Sequence, residues 1–179
     1  MLSRFFCFFL PQKNILKTCL KPQNCVFLCI YYHLITMTEL TLQRLKACGW
    51  TPNRKVDISP IEEFYDEKGI VMPKFLREFF TQYAFLHIEY YDSKRGVHEE
   101  HNLTPSDYQI YHRHIGIHGT AYHVGQAFSN NMDILYHNDG NFYIFMGGGP
   151  LIRAGNTVND LMNALCGDYE HAVWKYIRH

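Results

Sequence analysis

From Met37 onward the hydrophobic positions change period twice, which divides the chain into helices, then strands, then a helix. Thr38 stands where a capping hydroxyl belongs. Leu42, Leu45 and Ala47 carry a short amphipathic run to Gly49, whose tolerance of positive φ stops it. Ser59-Pro60-Ile61-Glu62 combines a capping serine, proline at the first helical position and a nearby acid, and predicts a second helix through Phe64 and Tyr65 to the vicinity of Gly69. A third is predicted from Pro73, where Phe75, Leu76, Phe79, Phe80 and Tyr83 make a broad apolar stripe at helical spacing that reads as core.

After Ala84 the period shortens to two. "FLHIEYYD" alternates β-branched and aromatic residues, and "SKRG" follows as turn material. Thr104-Pro105-Ser106-Asp107 predicts another short helix, which would carry His112 and His114 on different faces. Strands are expected in "TAYHVGQAF", "MDILYHNDG", "NFYIFMGGG" and "PLIRAG". Asn138-Asp139-Gly140-Asn141 between two apolar runs signals a hairpin. Thr157 to Asp160 opens a helix of Val158, Leu161, Met162 and Leu165 that Gly167 ends, and an amphipathic turn or two is expected from Tyr169 to Ile177. Helices segregated from a run of strands predict a single α+β domain: a central, mainly antiparallel sheet flanked by helices.

Charge changes the picture at one place. Residues 1–36 carry Arg4, Lys13, Lys17 and Lys21 and no acid, whereas residues 37–179 hold 13 basic and 17 acidic residues, a net of −4. Four of the six cysteines (Cys7, Cys19, Cys25, Cys29) also lie before Met37. The apolar runs "FFCFFL" and "VFLCIYYHLI" are too short to span a membrane, and Pro11-Gln12-Lys13 stands where a signal-peptide cleavage site would need small residues. We read residues 1–36 as a mis-called N-terminal extension ahead of a start at Met37, with a hydrophobic anchor or leader as the alternative. Residues 37–179 form the domain. Its mild acidity gives no attraction to nucleic acid, suits a basic partner, and with only Cys48 and Cys166 fits a reduced cytoplasmic protein with no membrane span.

No catalytic set emerges. Eight of the eleven histidines lie between His87 and His137, close enough in sequence to raise a small metal-dependent hydrolase as an alternative. There is no "HExxH" pair, however, and no consistent spacing on one element. Cys25, Cys29 and His33 could share a helical face but lack a fourth ligand. "GGGP" at 147–150 is followed by a strand-like segment rather than the helix a phosphate cradle requires. Cys48 and Cys166 sit at helix ends that would not acidify a thiol, and no serine occupies a "GxSxG" setting. We therefore expect no enzyme, cofactor or metal.

The segment after the first helix reads as architecture. Gly49 stops the helix, Trp50 folds back over its end, Pro52 stiffens the turn, and Arg54 enters a short strand ending in Val56-Asp57-Ile58. This "AxGW…PxR…VDIS" arrangement resembles the start of the SUKH superfamily of immunity proteins, most closely its third subgroup. The rest of that pattern follows in order across residues 40 to 166. Phe75-Leu76-Arg77-Glu78-Phe79 is similar to its "fLreF" helix, and Val124-Gly125-Gln126 to its "PvG" segment. "ILYHNDGNFY" with Gly140 is similar to its hairpin, and "GNTVNDLMNAL" to its closing helix. Asn53 stands where glycine is usual, His123 where proline is, and Phe80-Thr81-Gln82 replaces a small, glycine-rich exit.

The resemblance implies an α+β immunity domain that binds and neutralises a cognate protein toxin, such as a nuclease, of a bacterial polymorphic or contact-dependent system. A non-bacterial interaction domain of the same superfamily is the further alternative. For the partner-binding surface the expectation is the polar stretch from Asp92 to Asn102, read as a solvated loop with Asp92, Lys94, Arg95, Glu99 and Glu100, together with the hairpin tip at Asn138 and Asp139.

Overall fold

The computed structural model describes residues 37–105, 110–112, 117–147, 151–170, 172 and 174–177, with backbone only for 110–112. All lie in one unit, Thr36–His179. Helix α1 (Glu39–Ala47) begins as its sequence requires: Thr38 Oγ1 accepts the Thr41 backbone N–H at 3.2 Å. At its other end Gly49 takes φ 86°, and Trp50 N donates to Leu45 O at 2.9 Å. Helix α2 (Ser59–Glu67) starts one residue earlier than expected. Ile58 is the cap position, and Ser59 is already helical. The capping chemistry comes from Asp57, whose Oδ1 accepts both Ser59 N (2.9 Å) and Ser59 Oγ–H (2.6 Å). Helix α3 (Lys74–Tyr83) follows Pro73 and buries Leu76, Phe79, Phe80 and Tyr83 on one side. Helix α4 (Val158–Leu165) opens on a complete capping box between Thr157 and Asp160.

The strands are β1 (His87–Asp92), β2 (Val97–Asn102), β3 (Ile110–His112), β4 (Thr120–Ala127), β5 (Met132–His137), β6 (Phe142–Phe145), β7 (Leu151–Gly155) and β8 (Lys175–Ile177). They form one antiparallel sheet in the order β1-β2-β4-β5-β6-β7-β8, with β3 paired to β4. Strand β2 meets β4 through a single register pair, Asn102 with Gln126, and β3 takes the other half of the same β4 edge. The close approach at that single pair explains Gly125: a Cβ there would overlap the Asn102 carbonyl oxygen.

Aromatic contacts join α2 and α3 to one face of the sheet. Tyr65 stacks on Tyr122 (6.4 Å between centroids), Phe75 on Tyr136 (4.5 Å), and Phe79 packs against Phe142 (5.7 Å). The opposite face carries a second apolar cluster of Ala121, Leu135, Tyr143 and Leu151. Helix α4 packs on β7 and reaches α1, where Thr41 Oγ1 donates to Asn163 Oδ1 at 2.8 Å.

The segment after α1 turns out to clamp the end of α3. Trp50 is buried and stacks on Tyr83 at 6.0 Å and 14°. Arg54 donates from Nη1 to Gln82 O and from Nη2 to Ala84 O, both at 2.8 Å, satisfying carbonyls that a helix leaves open at its C-terminus. Gln82 Nε2 returns a bond to Pro52 O at 3.1 Å. No strand forms at Val56-Asp57-Ile58; Val56 N donates to Thr81 O of α3 instead.

Three further expectations are corrected. The stretch Val97–Asn102 is a strand, not a solvated loop. Ile110–His112 is a strand where a helix was expected from Thr104; Ser106, Asp107 and His114 lie outside the described residues. The C-terminal Lys175–Ile177 is the edge strand β8, bonded to β7, rather than a helical turn. Gly148, Gly149 and Pro150 of the "GGGP" stretch and residues 1–36 also lie outside the described residues, and no described helix is long and apolar enough to cross a membrane.

Candidate partner-binding surface

The polar residues expected to face a partner divide into two groups at opposite ends of the sheet. The β1–β2 turn leaves one end. The β5–β6 turn leaves the other, because β2 and β4 meet only at Asn102 and Gln126, near the far end of β2. Some ten residues of strand separate the two turns, about 33 Å at 3.3 Å per residue. A partner that touched both turns would need a contact surface at least that long.

At the first end the charges satisfy one another. Asp92 Oδ1 accepts Lys94 N (3.0 Å) and Arg95 N (3.3 Å), which closes the turn, and Arg95 Nε donates to Asp92 Oδ2 at 2.7 Å. Arg95 Nη2 also bonds Glu99 and the Tyr169 hydroxyl, with the guanidinium 4.6 Å from the Tyr169 ring centroid. The bond from Arg95 draws the Asp92 carboxyl below its ordinary range, and Asp92 in turn raises the Arg95 guanidinium. Glu99 is only 6% exposed, so it is a buried partner of Arg95 rather than a surface charge. Alternation along β2 turns Glu100 to the other face, directly opposite Glu89 of β1. That face of the hairpin also carries His87, Tyr91 and His98, with Tyr91 against the His98 ring at 5.0 Å. Lys94 reaches Glu170 at 3.8 Å with both side chains in solvent.

At the second end the turn is built around Asp139. Gly140 takes φ 86°, Asp139 Oδ1 accepts Asn141 N at 2.9 Å, and Tyr143 Oη donates to Asp139 Oδ2 at 2.7 Å. Burial opposes the Asp139 charge, but the bonds from Tyr143, Asn141 and His137 outweigh it and hold the carboxyl at about 2. Burial, then Asp139, pushes Tyr143 up to about 12. The turn is thus fixed and anionic at any physiological pH, with the Asn138 side chain in solvent.

Helix α2 belongs to this second end. Its Tyr65 lies on Tyr122 and the Phe75 of α3 on Tyr136, and those two tyrosines form the register pair next to Ala121–His137, where β5 enters the turn. The helix carries Glu62, Glu63, Asp66 and Glu67. Arg77 of α3 pairs with Glu62, while Glu63, Asp66 and Glu67 are exposed. This acidic surface was not singled out from sequence, although four acids in "SPIEEFYDE" with no cation among them were a readable signal.

His101, His123 and His137 each have their own separate partner. His123 Nε2 lies 3.3 Å from Asp133, His137 Nδ1 lies 3.0 Å from Asp139, and His101 Nδ1 accepts Phe128 N at 3.2 Å. Among the described residues no three His, Cys, Asp or Glu are placed to hold a metal ion; the side chains of His112 and His114 are outside the description. Burial raises both the Cys48 and the Cys166 thiol, the reverse of what a nucleophile needs. What the described residues present at the β5–β6 end is an acidic surface on a fixed turn and helix.

Residues 37–168 match the family model described as SUKH-3 immunity protein. No curated protein and no solved structure matches the chain.

Proposed function

The chain belongs to the SUKH-3 immunity protein family, and we propose that it binds a cognate protein toxin and neutralises it in the cytoplasm, with no catalysis of its own. The family match across residues 37–168 carries this reading. The toxin is of the polymorphic or contact-dependent kind, and inhibition is by occlusion: one immunity protein covers the toxin's active site or substrate-binding surface.

The contact is proposed at the end of the molecule that holds the β5–β6 turn, with Asn138 and Asp139, and the acidic surface of α2. Three features support this end. Glu63, Asp66 and Glu67 are exposed with no ion pair among the described residues, Asp139 is locked in position and anionic, and a net charge of −4 over residues 37–179 favours encounter with a basic toxin such as a nuclease. At the β1–β2 end, Asp92, Arg95 and Glu99 serve one another and hold the hairpin, which leaves little charge for a partner.

The test is to express this protein with the toxin encoded beside its gene. Cells should survive toxin expression, and the two proteins should co-elute as a complex. Death of cells that hold both proteins in soluble form would overturn the reading.

A further inference from the structure

Helices end in a cluster of unbonded carbonyls with partial negative charge, and they are stabilised there by cations. In this protein α1, α3 and α4 follow that rule. Arg44 and Lys46 stand in the last turn of α1, Arg54 bonds the carbonyls at the end of α3, and Arg44 Nη1 bonds Cys166 O at the end of α4. Helix α2 breaks it. Its last turn holds no basic residue and two carboxylates, Asp66 and Glu67, which are repelled by the helix's own negative end. Lys68 follows at the cap, but its ammonium lies 5.6 Å from the Phe64 ring centroid.

A cavity of about 250 Å³ opens at this same helix end. Tyr65, Ile70 and Met72 give it an apolar floor, Glu62, Asp66 and Arg77 stand at its polar side, and Val71 forms a lip. The charge of Arg77 is taken up by Glu62. Asp66 has no ion pair or side-chain hydrogen bond among the described residues. Val71 is 87% exposed, an apolar side chain held in water beside a hollow lined with apolar atoms.

We infer that this cavity accepts an arginine side chain from a protein partner. A long aliphatic stem would lie on Tyr65, Ile70 and Met72 and cover Val71. The guanidinium would reach the Asp66 carboxylate at the negative end of the α2 dipole, where the Phe64, Tyr65 and Asp66 carbonyls already accept Lys68, Ile70 and Gly69 N–H. Arginine suits the place better than lysine because its planar fork can bond both oxygens of a carboxylate, and because it sheds water more readily. Anchors of this kind, one arginine in a small pocket with an apolar wall, concentrate binding energy at protein interfaces. That the partner is a toxin rests on the family reading; the preference for a cation does not.

The probe is a blocked tripeptide, acetyl-glycyl-arginyl-glycine amide, titrated into the full chain and followed by amide NMR shifts. The control peptide has norleucine in place of arginine. Saturable shifts confined to the amides of Asp66 to Met72 are expected with the arginine peptide, and much smaller ones with norleucine. The variant Asp66→Asn/Glu67→Gln should weaken the arginine peptide by roughly tenfold, the equivalent of about 1.4 kcal/mol. It should not lower thermal stability, since it removes a clash with the helix end. Equal shifts from both peptides, absence of shifts at those amides, or full binding by the variant would each overturn the inference. Co-expression with the toxin reads the immunity function separately, so survival of cells alongside a failed titration removes the pocket and leaves the function standing.

Discussion

At the scale of single residues, the side chains that hold this fold act through charge and shape at helix ends and turns. His101 is the one whose pH consequence begins nearest neutrality among the groups with a shifted pKa. It is buried on β2, accepts Phe128 N at Nδ1, and packs edge-on to the Phe128 ring at 5.1 Å. Burial, with a smaller push from Arg95 and His87, lowers its pKa to about 4. Phe128, Ser129 and Asn130 all take positive φ, so the loop that His101 holds stores backbone strain. Protonation would remove the acceptor for Phe128 N and place a charge in the core. The unfolded chain titrates near the ordinary histidine value and the folded one near 4, so between those limits the unfolded state binds more protons. The His101 contribution to stability is therefore complete above about pH 6.5 and falls by roughly 1.4 kcal/mol per pH unit as pH drops towards 4. Urea denaturation at a series of pH values, compared between the parent and His101→Gln, checks this. A parent curve no steeper than that of the variant would place the acid sensitivity elsewhere.

At the scale of elements, the β1–β2 hairpin separates what the sequence could and could not say. Strand β1 was legible because His87-Ile88-Glu89-Tyr90-Tyr91-Asp92 alternates cleanly. Strand β2 was not, because "VHEEHN" reads as loop. Its inward positions are Glu99 and His101, which are tolerable inside only because Arg95, four residues away, and Phe128 N, from another hairpin, satisfy them. The helix starts at Thr38 and Thr157 were legible because their caps are local. Ser59 misled because a second capping group, Asp57, stood two residues earlier. The neighbouring glutamates of β2 now make opposite predictions. Glu99→Lys leaves Arg95 facing a like charge inside the protein and should cost on the order of 3 kcal/mol. Glu100→Lys puts a cation opposite Glu89 and should be neutral or stabilising by a few tenths of a kcal/mol. Melting temperatures of the two variants decide it. Equal effects would mean that Glu99 is not the buried member.

At the scale of the whole molecule, the candidate site was legible only in part. The β5–β6 turn was visible as Asn138 to Asn141, but nothing local said that α2 and its cavity share that end, since the link runs through Tyr65–Tyr122 and Phe75–Tyr136. The break at Met37 was visible in charge and cysteine use, and the family match begins at the same residue. We propose that residues 1–36 are dispensable. A chain beginning at Met37 should show the same denaturation midpoint as the full chain and the same protection against its toxin. A loss of several kcal/mol, or failure to accumulate, would make the first 36 residues part of the fold.

Arg44 lies 3.7 Å from the Tyr90 ring centroid and bonds the Cys166 carbonyl, and its neighbour Thr41 bonds Asn163. The partners of Thr41 and Arg44 on α4 are each 122 residues further along the chain. During synthesis, α1 is therefore among the first elements of the domain to leave the ribosome and among the last to find its place. Tyr90 of β1 can meet Arg44 earlier, but this short, marginal helix gains its full seat only when α4 emerges and that long loop closes. Folding cannot be completed in instalments. A chain cut short before residue 158 keeps the Arg44–Tyr90 contact but lacks the α4 partners of Thr41 and Arg44, so its first helix is only half seated.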